Sequence, residues 1–184
     1  MPSASAGGLD SVRLITEALP RKCGAAVLLV MHIGALQSDL PLILNWHGKL
    51  PAAFAGEGDS LEAGRLYVAP PDHHMLLMPA GTVHLDSGSK VHHTRPAVDP
   101  LFLSIAATYG QRVVGVVLSG RTEDGAEGLR AIHRHGGLAL VEDPELAREP
   151  AMPAAAVAKD DPEILKIDQL SKRVARFCSG LAHA

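Results

Sequence analysis

Several kinds of residue are scarce in this sequence of 184 residues, and each shortage excludes a class of protein. Aromatic residues make up 3% of the chain, so a hydrophobic core has to be built from Leu, Val, Ile and Ala, which favours aliphatic strands covered by helices. The two cysteines, Cys23 and Cys178, are far apart and lack metal-ligand spacing. Such a pair is typical of buried or unreactive thiols in a reducing compartment. A disulfide between the two is the alternative that the sequence leaves open.

Basic clusters and long apolar runs are also lacking. The formal net charge is −3, and without a stripe of Lys and Arg we expect no nucleic-acid partner. No apolar run approaches the ~20 residues that a membrane-spanning helix needs. The first residues, MPSASAGG, have neither the basic nor the apolar region of a signal peptide. We therefore expect a soluble, cytoplasmic protein that is not inserted in a membrane.

The chain alternates strand-like and helix-like segments. Two continuous apolar runs, AAVLLVM (Ala25–Met31) and RVVGVVLSG (Arg112–Gly120), predict strands buried on both faces of a parallel sheet. RLYVAPP (Arg65–Pro71) and LALVE (Leu138–Glu142) predict two more strands. HMLLM and TVHL, around residues 74–85, predict a β-hairpin. Helical periodicity or capping predicts five helices, over Leu9–Leu19, Leu40–Trp46, Asp99–Tyr109, Asp124–Gly137 and Ile167–Cys178. The prediction is a single α/β domain over residues 1–184, with a doubly wound, mostly parallel, Rossmann-like three-layer sheet and a small β-hairpin insert.

Three polar residues are expected at one rim of this sheet. Ligands of open parallel sheets bind beyond the carboxyl ends of the strands. His32 follows the first apolar run, Asp124 follows the second, and Ser5 precedes the first helix. A serine hydroxyl becomes a good nucleophile when an imidazole takes its proton and a carboxylate orients that imidazole. The pattern predicts a Ser-His-Asp hydrolase site, although each residue alone is equally explained as a helix cap or a structural histidine.

Other chemistry finds less support. The adjacent pairs His73–His74 and His92–His93 each direct their side chains to opposite faces of a strand, so a pair supplies at most one ligand to a given metal site. The GxGxxG pattern of dinucleotide loops is also absent. We therefore expect neither a metal ion nor a cofactor.

Six segments together resemble the catalytic domain of CheB-type chemotaxis protein-glutamate methylesterases. They occur in the same order as in that family and span about residues 3–167: SASAGG, VMHIG, GRLYVAPPDHHMLL, RPAVDPLFLSIA, VVLSGRTEDGAEGL and, more weakly, EDPELAREPAMPAAAV. The resemblance implies that Ser5 is the nucleophile, His32 the general base and Asp124 the orienting carboxylate. It further implies that Ala6 and the Gly120–Arg121 backbone lie beside the oxyanion.

The same resemblance implies a function and partners. Such enzymes hydrolyse γ-glutamyl methyl esters on the cytoplasmic helices of methyl-accepting chemoreceptors, and some deamidate receptor glutamines. Arg95 and Asp99 would border the substrate cleft. A chemotaxis methyltransferase or a separate receiver protein is a further implied partner. Two alternatives stay open: a catalytically silent relative that binds receptor helices or the methyltransferase, and an esterase that acts on another small ester.

Three departures from the family pattern matter. Family members usually have a hydrophobic strand directly before the Ala-Ser pair, whereas only Met1–Ser3 precede Ala4 here. We therefore expect the first strand to be missing and the sheet to be open at that position. The second departure is Arg121–Asp124, RTED, where Arg121 could narrow the cleft. Thirdly, no receiver domain accompanies the catalytic domain, so we expect no phosphorylation control within the chain.

Overall fold

The computed structural model describes residues 6–181 of the protein. Within this range, helices and strands alternate along most of the chain, as the sequence predicts. The helices are α1 (Ala6–Ala18), α2 (Leu40–His47), α3 (Val98–Tyr109), α4 (Ala126–Arg134), α5 (Ala151–Lys159) and α6 (Ile167–Leu181). The strands are β1 (Val27–Leu29), β2 (Ala52–Phe54), β3 (Leu66–Val68), β4 (His74–Leu77), β5 (Val83–Asp86), β6 (Val114–Val117), β7 (Leu138–Glu142) and β8 (Glu163–Leu165).

The strands form two parallel sheets of three strands each, together with one antiparallel hairpin. The first sheet has the order β1-β3-β2, the second has the order β6-β7-β8, and β4 pairs with β5. Each step between neighbouring parallel strands passes through a helix or a longer connection, as parallel pairing requires. The predicted α/β class with parallel strands and a hairpin insert is confirmed.

The helices cover these sheets with aliphatic side chains. Val12 of α1 and Leu44 of α2 pack on Leu66 and Val68 of β3. On the other side, Phe102 of α3 belongs to a larger cluster that also includes residues of α4, β6 and β7. The hydrophobic core is thus built mainly from Leu, Ile, Val and Ala, as expected from the scarcity of aromatic residues.

The two parallel sheets do not join into one. Among residues 6–181, β1 has one strand neighbour, β3, and β6 has one, β7. An apolar cavity of about 760 Å³ lies between β1 and β6. The prediction that the two apolar runs are buried on both faces is wrong. Val27–Leu29 of β1 and Val114 and Val116 of β6 line this cavity and are only partly buried. The opening lies where we expected the first strand to be missing.

Three short elements were not predicted. Strands β2 and β8 have three residues each and lie at the outer edges of their sheets, so their sequences lack the long apolar run of a central strand. Helix α5 contains Pro153 within its first turn, a position where proline is compatible with a helix. Within the described part of the chain, no helix is both long and apolar enough to cross a membrane.

Candidate functional site

His32 and Asp124 meet at the carboxyl end of the two sheets. His32 follows β1 and Asp124 precedes α4, and Nε2 of His32 lies 2.7 Å from Oδ2 of Asp124. The two residues are separated by 92 positions in the sequence. Their contact also shows that β1 and β6 end at the same rim, as the sequence predicts.

Asp124 is held by the start of helix α3. Its side chain is 0% exposed, and its two oxygens accept the backbone N–H groups of Val98 at 2.6 Å and Asp99 at 3.0 Å. The first N–H groups of a helix have no partners within the helix and favour a negative charge. The N-terminus of α3 therefore provides an anion site that contains the Asp124 carboxylate.

These contacts keep the carboxylate ionised in spite of its burial. Burial by itself raises the pKa of Asp124, but the hydrogen bonds from His32 and from the N–H groups of Val98 and Asp99 outweigh that effect and lower the pKa below its usual value. An ionised carboxylate only accepts hydrogen bonds, so the proton in the 2.7 Å contact belongs to Nε2 of His32. In neutral His32 this leaves Nδ1 as the nitrogen with a free lone pair, and the imidazole is 22% exposed.

A second buried carboxylate lies next to the first. Asp99, at the start of α3, accepts the N–H of Gly128 at 2.7 Å through Oδ1, and its Oδ2 lies 3.2 Å from Nε2 of His92. Burial raises the pKa of Asp99, and the nearby charge of Asp124 adds to the rise. Asp99 was predicted to border the substrate cleft; its side chain is buried and its oxygens are directed at α4 and His92.

His92, Asp99 and Asp124 are also the described residues that could hold a metal ion, since one ligand atom from each falls within 4.8 Å of the others. Their carboxylate oxygens already accept hydrogen bonds from His32, Gly128 and the start of α3. The arrangement is explained by these bonds without an ion, and the expectation of a metal-free site stays a prediction.

The loop between β6 and Asp124 forms another part of the rim. The N–H of Gly120 is donated to the carbonyl oxygen of Glu149 at 2.9 Å, and that donor is therefore not free for an oxyanion. The guanidinium of Arg121 binds the Glu149 carboxylate at 2.8 Å. Among the described residues the backbone N–H groups of Arg121, Thr122 and Glu123 have no acceptor, so this loop retains donors that it can offer to substrate.

Arg95 forms several bonds beside the β-hairpin. Its guanidinium binds Oδ1 of Asp72 through Nε at 3.0 Å and Nη2 at 2.7 Å, and Nη1 is donated to the carbonyl oxygens of Ser87 and Gly88. Arg95 thus fixes the loop after the β-hairpin to the segment before it. Its role at the substrate cleft stays a prediction.

The predicted nucleophile, Ser5, lies outside the described residues. Ala6, predicted to lie beside the oxyanion, is the first residue of α1. The neighbouring Gly8 lines the cavity together with His32, Arg121 and Thr122. The start of α1 therefore opens onto the same cavity as the predicted base.

Sequence reasoning missed a buried glutamate at this rim. Glu142, at the end of β7, is 6% exposed and accepts the N–H of Ser119 at 2.8 Å and the hydroxyl of Ser11 at 3.1 Å. These bonds tie α1 to the loop after β6. The available signal was a polar residue at the carboxyl end of a predicted strand, the same signal that identified His32.

The chain also matches a known protein family. The family model for CheB methylesterase matches residues 3–174. The chain belongs to the CheB methylesterase family. The matched range includes all three residues of the predicted triad.

Relatives of this CheB methylesterase chain occur in bacteria and archaea. A Leptospira interrogans protein is 33% identical over 94% of this chain and 91% of its own length, and its provisional name is protein-glutamate methylesterase/protein-glutamine glutaminase. A Pyrococcus horikoshii protein of that name is 36% identical over 84% of this chain but only 43% of its own length. The chain thus spans nearly all of the first relative and less than half of the second.

The fold is similar to that of a solved CheB structure. The crystal structure of the Thermotoga maritima CheB methylesterase catalytic domain superposes with a TM-score of 0.85 and 27% sequence identity, over 92% of this chain and 93% of that one. This similarity shows that the chain has the α/β fold of a CheB catalytic domain.

Proposed function

We propose that this chain hydrolyses γ-methyl esters of glutamate on the cytoplasmic helices of chemoreceptors, with Ser5 as nucleophile, His32 as general base and Asp124 as the orienting carboxylate. The observation that carries the proposal is the 2.7 Å contact between His32 and an Asp124 carboxylate that is buried at the start of α3. Family membership supports the substrate class, because relatives carry the name protein-glutamate methylesterase/protein-glutamine glutaminase.

The first half of the reaction forms an acyl-enzyme. The Ser5 hydroxyl attacks the ester carbonyl carbon, and Nδ1 of His32 takes the hydroxyl proton. The imidazolium that forms is stabilised by the Asp124 carboxylate at Nε2. Collapse of the tetrahedral intermediate breaks the bond to the methoxy group, which takes the proton from His32 and leaves as methanol.

The second half repeats these steps with water. A water molecule loses a proton to His32 and attacks the acyl carbon, and Ser5 then leaves with that proton to give free glutamate. The same sequence on a glutamine side chain releases ammonia in the first half. Glutaminase activity therefore needs no further residue.

Charge on the intermediate's oxygen requires hydrogen-bond donors. The backbone N–H of Arg121 and the N–H groups at the start of α1, from Ala6 onward, are the candidates at this rim. One such donor is worth roughly 3–4 kcal/mol of transition-state stabilisation in another serine hydrolase.

Covalent labelling of the serine tests the proposal. The purified chain is treated with a fluorophosphonate probe beside the Ser5→Ala, His32→Ala and Ser3→Ala variants, and labelling is located by mass spectrometry. We expect labelling of the parent and of Ser3→Ala, and none of the other two variants. A folded parent protein that is not labelled at Ser5 would contradict the serine mechanism.

Release of methanol identifies the substrate. Membranes that contain methylated chemoreceptor are incubated with the parent protein and with Ser5→Ala, and methanol is measured against time. Ser5-dependent labelling without Ser5-dependent methanol would favour an esterase that acts on another small ester.

The open sheet favours a second candidate function, a catalytically silent module that binds receptor helices. In that case Ser5→Ala would bind chemoreceptor as tightly as the parent protein, and neither would react with the probe. The intact contact between His32 and Asp124 favours the enzyme.

A further inference from the structure

Glu142 is a buried acidic side chain at the rim that takes part in no step of the proposed reaction. Its Oε2 accepts the N–H of Ser119 at 2.8 Å, and the Ser11 hydroxyl lies 3.1 Å from Oε1 and 3.3 Å from Oε2. No Lys, Arg or His side chain among residues 6–181 bonds to this carboxyl group. Its oxygens therefore join two elements, α1 and the loop after β6, and form no ion pair there.

Ser119 belongs to the loop that offers N–H groups to substrate. It directly precedes Gly120 and Arg121, and its hydroxyl accepts the N–H of Glu149 at 2.8 Å. The N–H of Gly120 is donated to the carbonyl oxygen of Glu149, and the N–H of Met152 is donated to the carbonyl oxygen of Gly120 at 3.1 Å. Several directional bonds thus fix this loop to the chain between β7 and α5.

Helix α1 is joined to its neighbours by fewer directional bonds. Among the described residues, two side chains of α1 form hydrogen bonds with other elements, Ser11 with Glu142 and Arg13 with His47 of α2. Other contacts of α1 are apolar, such as that of Val12 with β3. Apolar contacts are not directional, so they permit a helix to slide or rotate. The bond of Ser11 is therefore the one that sets the position of α1 relative to the rim.

We propose that Glu142 is a positioning residue of the hydrolase site, which holds the start of α1 at a fixed distance from the loop of Ser119–Arg121. Ser11 lies five residues after Ala6, about 7.5 Å along the helix axis. The inference rests on the proposed function, in which Ser5 directly precedes α1 and attacks a carbonyl group whose oxygen binds N–H groups of this loop. A displacement of about 1 Å in such a site slows a reaction by about a hundredfold.

Four variants test this role. Ser11→Ala removes the hydroxyl group but leaves Glu142 bonded to Ser119. Glu142→Leu removes both bonds, whereas Glu142→Gln retains an oxygen for the N–H of Ser119 and an N–H group for the Ser11 oxygen. Ser171→Ala is the matched control, because Ser171 is also a buried helical serine but bonds to Ile167 of its own helix.

The kinetics of labelling separate positioning from binding and from stability. The rate of reaction with the fluorophosphonate is measured against probe concentration, on protein that urea unfolding shows to be folded. We expect Ser11→Ala and Glu142→Leu to lower the maximal rate by about tenfold or more at an unchanged half-saturating concentration, because alignment is lost and access is not. Glu142→Gln and Ser171→Ala should stay within about threefold of the parent protein, because both keep α1 bonded to residue 142.

Two results would overturn the inference. One is a maximal rate for Ser11→Ala that equals the rate for Ser171→Ala. The other is a maximal rate for Glu142→Gln as low as that for Glu142→Leu, because the hydrogen bonds would then not be the cause. If Glu142→Leu does not fold, the first comparison decides the outcome.

NMR relaxation dispersion tests the hold on α1 without catalysis, because it detects exchange between conformations on the µs–ms timescale. We expect Ser11→Ala to add such exchange at the amides of residues 8–12, relative to the parent protein and to Ser171→Ala. Added exchange in a chain whose parent is not labelled at Ser5 would contradict the serine mechanism and leave the hold of Glu142 on α1 supported. Labelling of the parent protein with no added exchange and no rate loss in Ser11→Ala would overturn the inference and leave the serine mechanism supported.

Discussion

Two neighbouring carboxylates at the start of α3 have opposite electrostatic environments. Asp124 accepts hydrogen bonds from His32 and two backbone N–H groups, which outweigh its burial and lower its pKa. For Asp99, burial is the larger effect, and the pKa rises. The Asp124 carboxylate beside His32 is therefore kept ionised, and the Asp99 carboxyl group lies in a site that disfavours its charge.

Replacement of Asp124 by Asn should abolish most of the activity. Asparagine keeps the size of the side chain but removes the charge that fixes the Nε2 proton of His32 and stabilises the imidazolium. The equivalent change in a serine protease lowers kcat by about 10⁴, and we expect a loss of similar order. The rate of fluorophosphonate labelling measures it, with the exposed Asp168→Asn as the matched control. A loss of less than about tenfold would contradict the role of Asp124.

Replacement of Asp99 by Asn should change how stability depends on pH. The usual pKa of 3.8 applies to the unfolded chain and a higher value to the folded one, so the folded state binds more protons between the two values. The contribution of Asp99 to stability is therefore fully present below pH 3.8 and is lost as pH rises through the folded pKa. Urea unfolding should show Asp99→Asn gaining stability relative to the parent protein as pH is raised from 4 to 7. A difference that is constant over this range would contradict the prediction.

At the scale of elements, the site depends on how closely α3 approaches α4. A Cβ atom at Gly128 would lie 2.4 Å from Cβ of Phe102, which is not the end of a flexible side chain. The N–H of Gly128 also holds the Asp99 carboxylate at 2.7 Å. The same helix α3 donates its first N–H groups to Asp124, so the contact between the helices sets the position of the Asp124 carboxylate.

Gly128→Ala should therefore destabilise the protein even though alanine favours a helix by about 1 kcal/mol over glycine. Overpacking of a buried contact costs roughly 1–3 kcal/mol, and movement of α3 should also slow labelling of Ser5. The midpoint of urea unfolding measures the first effect. Gly180→Ala is the control, because a Cβ there meets nothing within 4 Å. Equal stability of the two variants would contradict the packing argument.

The sequence was informative where structure depends on local pattern. Strand β6, helices α3 and α4 and the hairpin were predictable from runs and periods of apolar residues, and His32 and Asp124 from their places after strands. The bonds of Asp124 to the start of α3, and of Glu142 to Ser11, join residues far apart in the chain and leave no local pattern. The burial of β1 was overestimated because burial depends on a neighbouring strand, not on the composition of β1 itself.

At the scale of the whole molecule, the only two cysteines of the sequence are brought together. Cys23, just after α1, and Cys178, in α6, are both buried in one apolar cluster with Leu19 and Leu50. The neighbouring Cys178 thiol lowers the pKa of Cys23 to about 6, although burial opposes the shift. The contact joins the segment that follows α1 to helix α6, so it connects two parts of the chain that are far apart in sequence.

Oxidation should convert this contact into a disulfide. The Cys23 thiolate attacks glutathione disulfide, one glutathione leaves, and Cys178 displaces the second glutathione to form the Cys23–Cys178 bond. A bond that closes so long a loop removes conformational freedom from the unfolded chain, and we expect about 4–5 kcal/mol of added stability in the chain-entropy description. The intact mass should fall by two hydrogens and the urea midpoint of unfolding should rise. Dithiothreitol should reverse both changes. Cys178→Ser should instead stop at the glutathione adduct of Cys23. If the parent protein also stopped at the glutathione adduct of Cys23, the two sulfur atoms would be unable to bond within the folded chain, and the prediction would be contradicted.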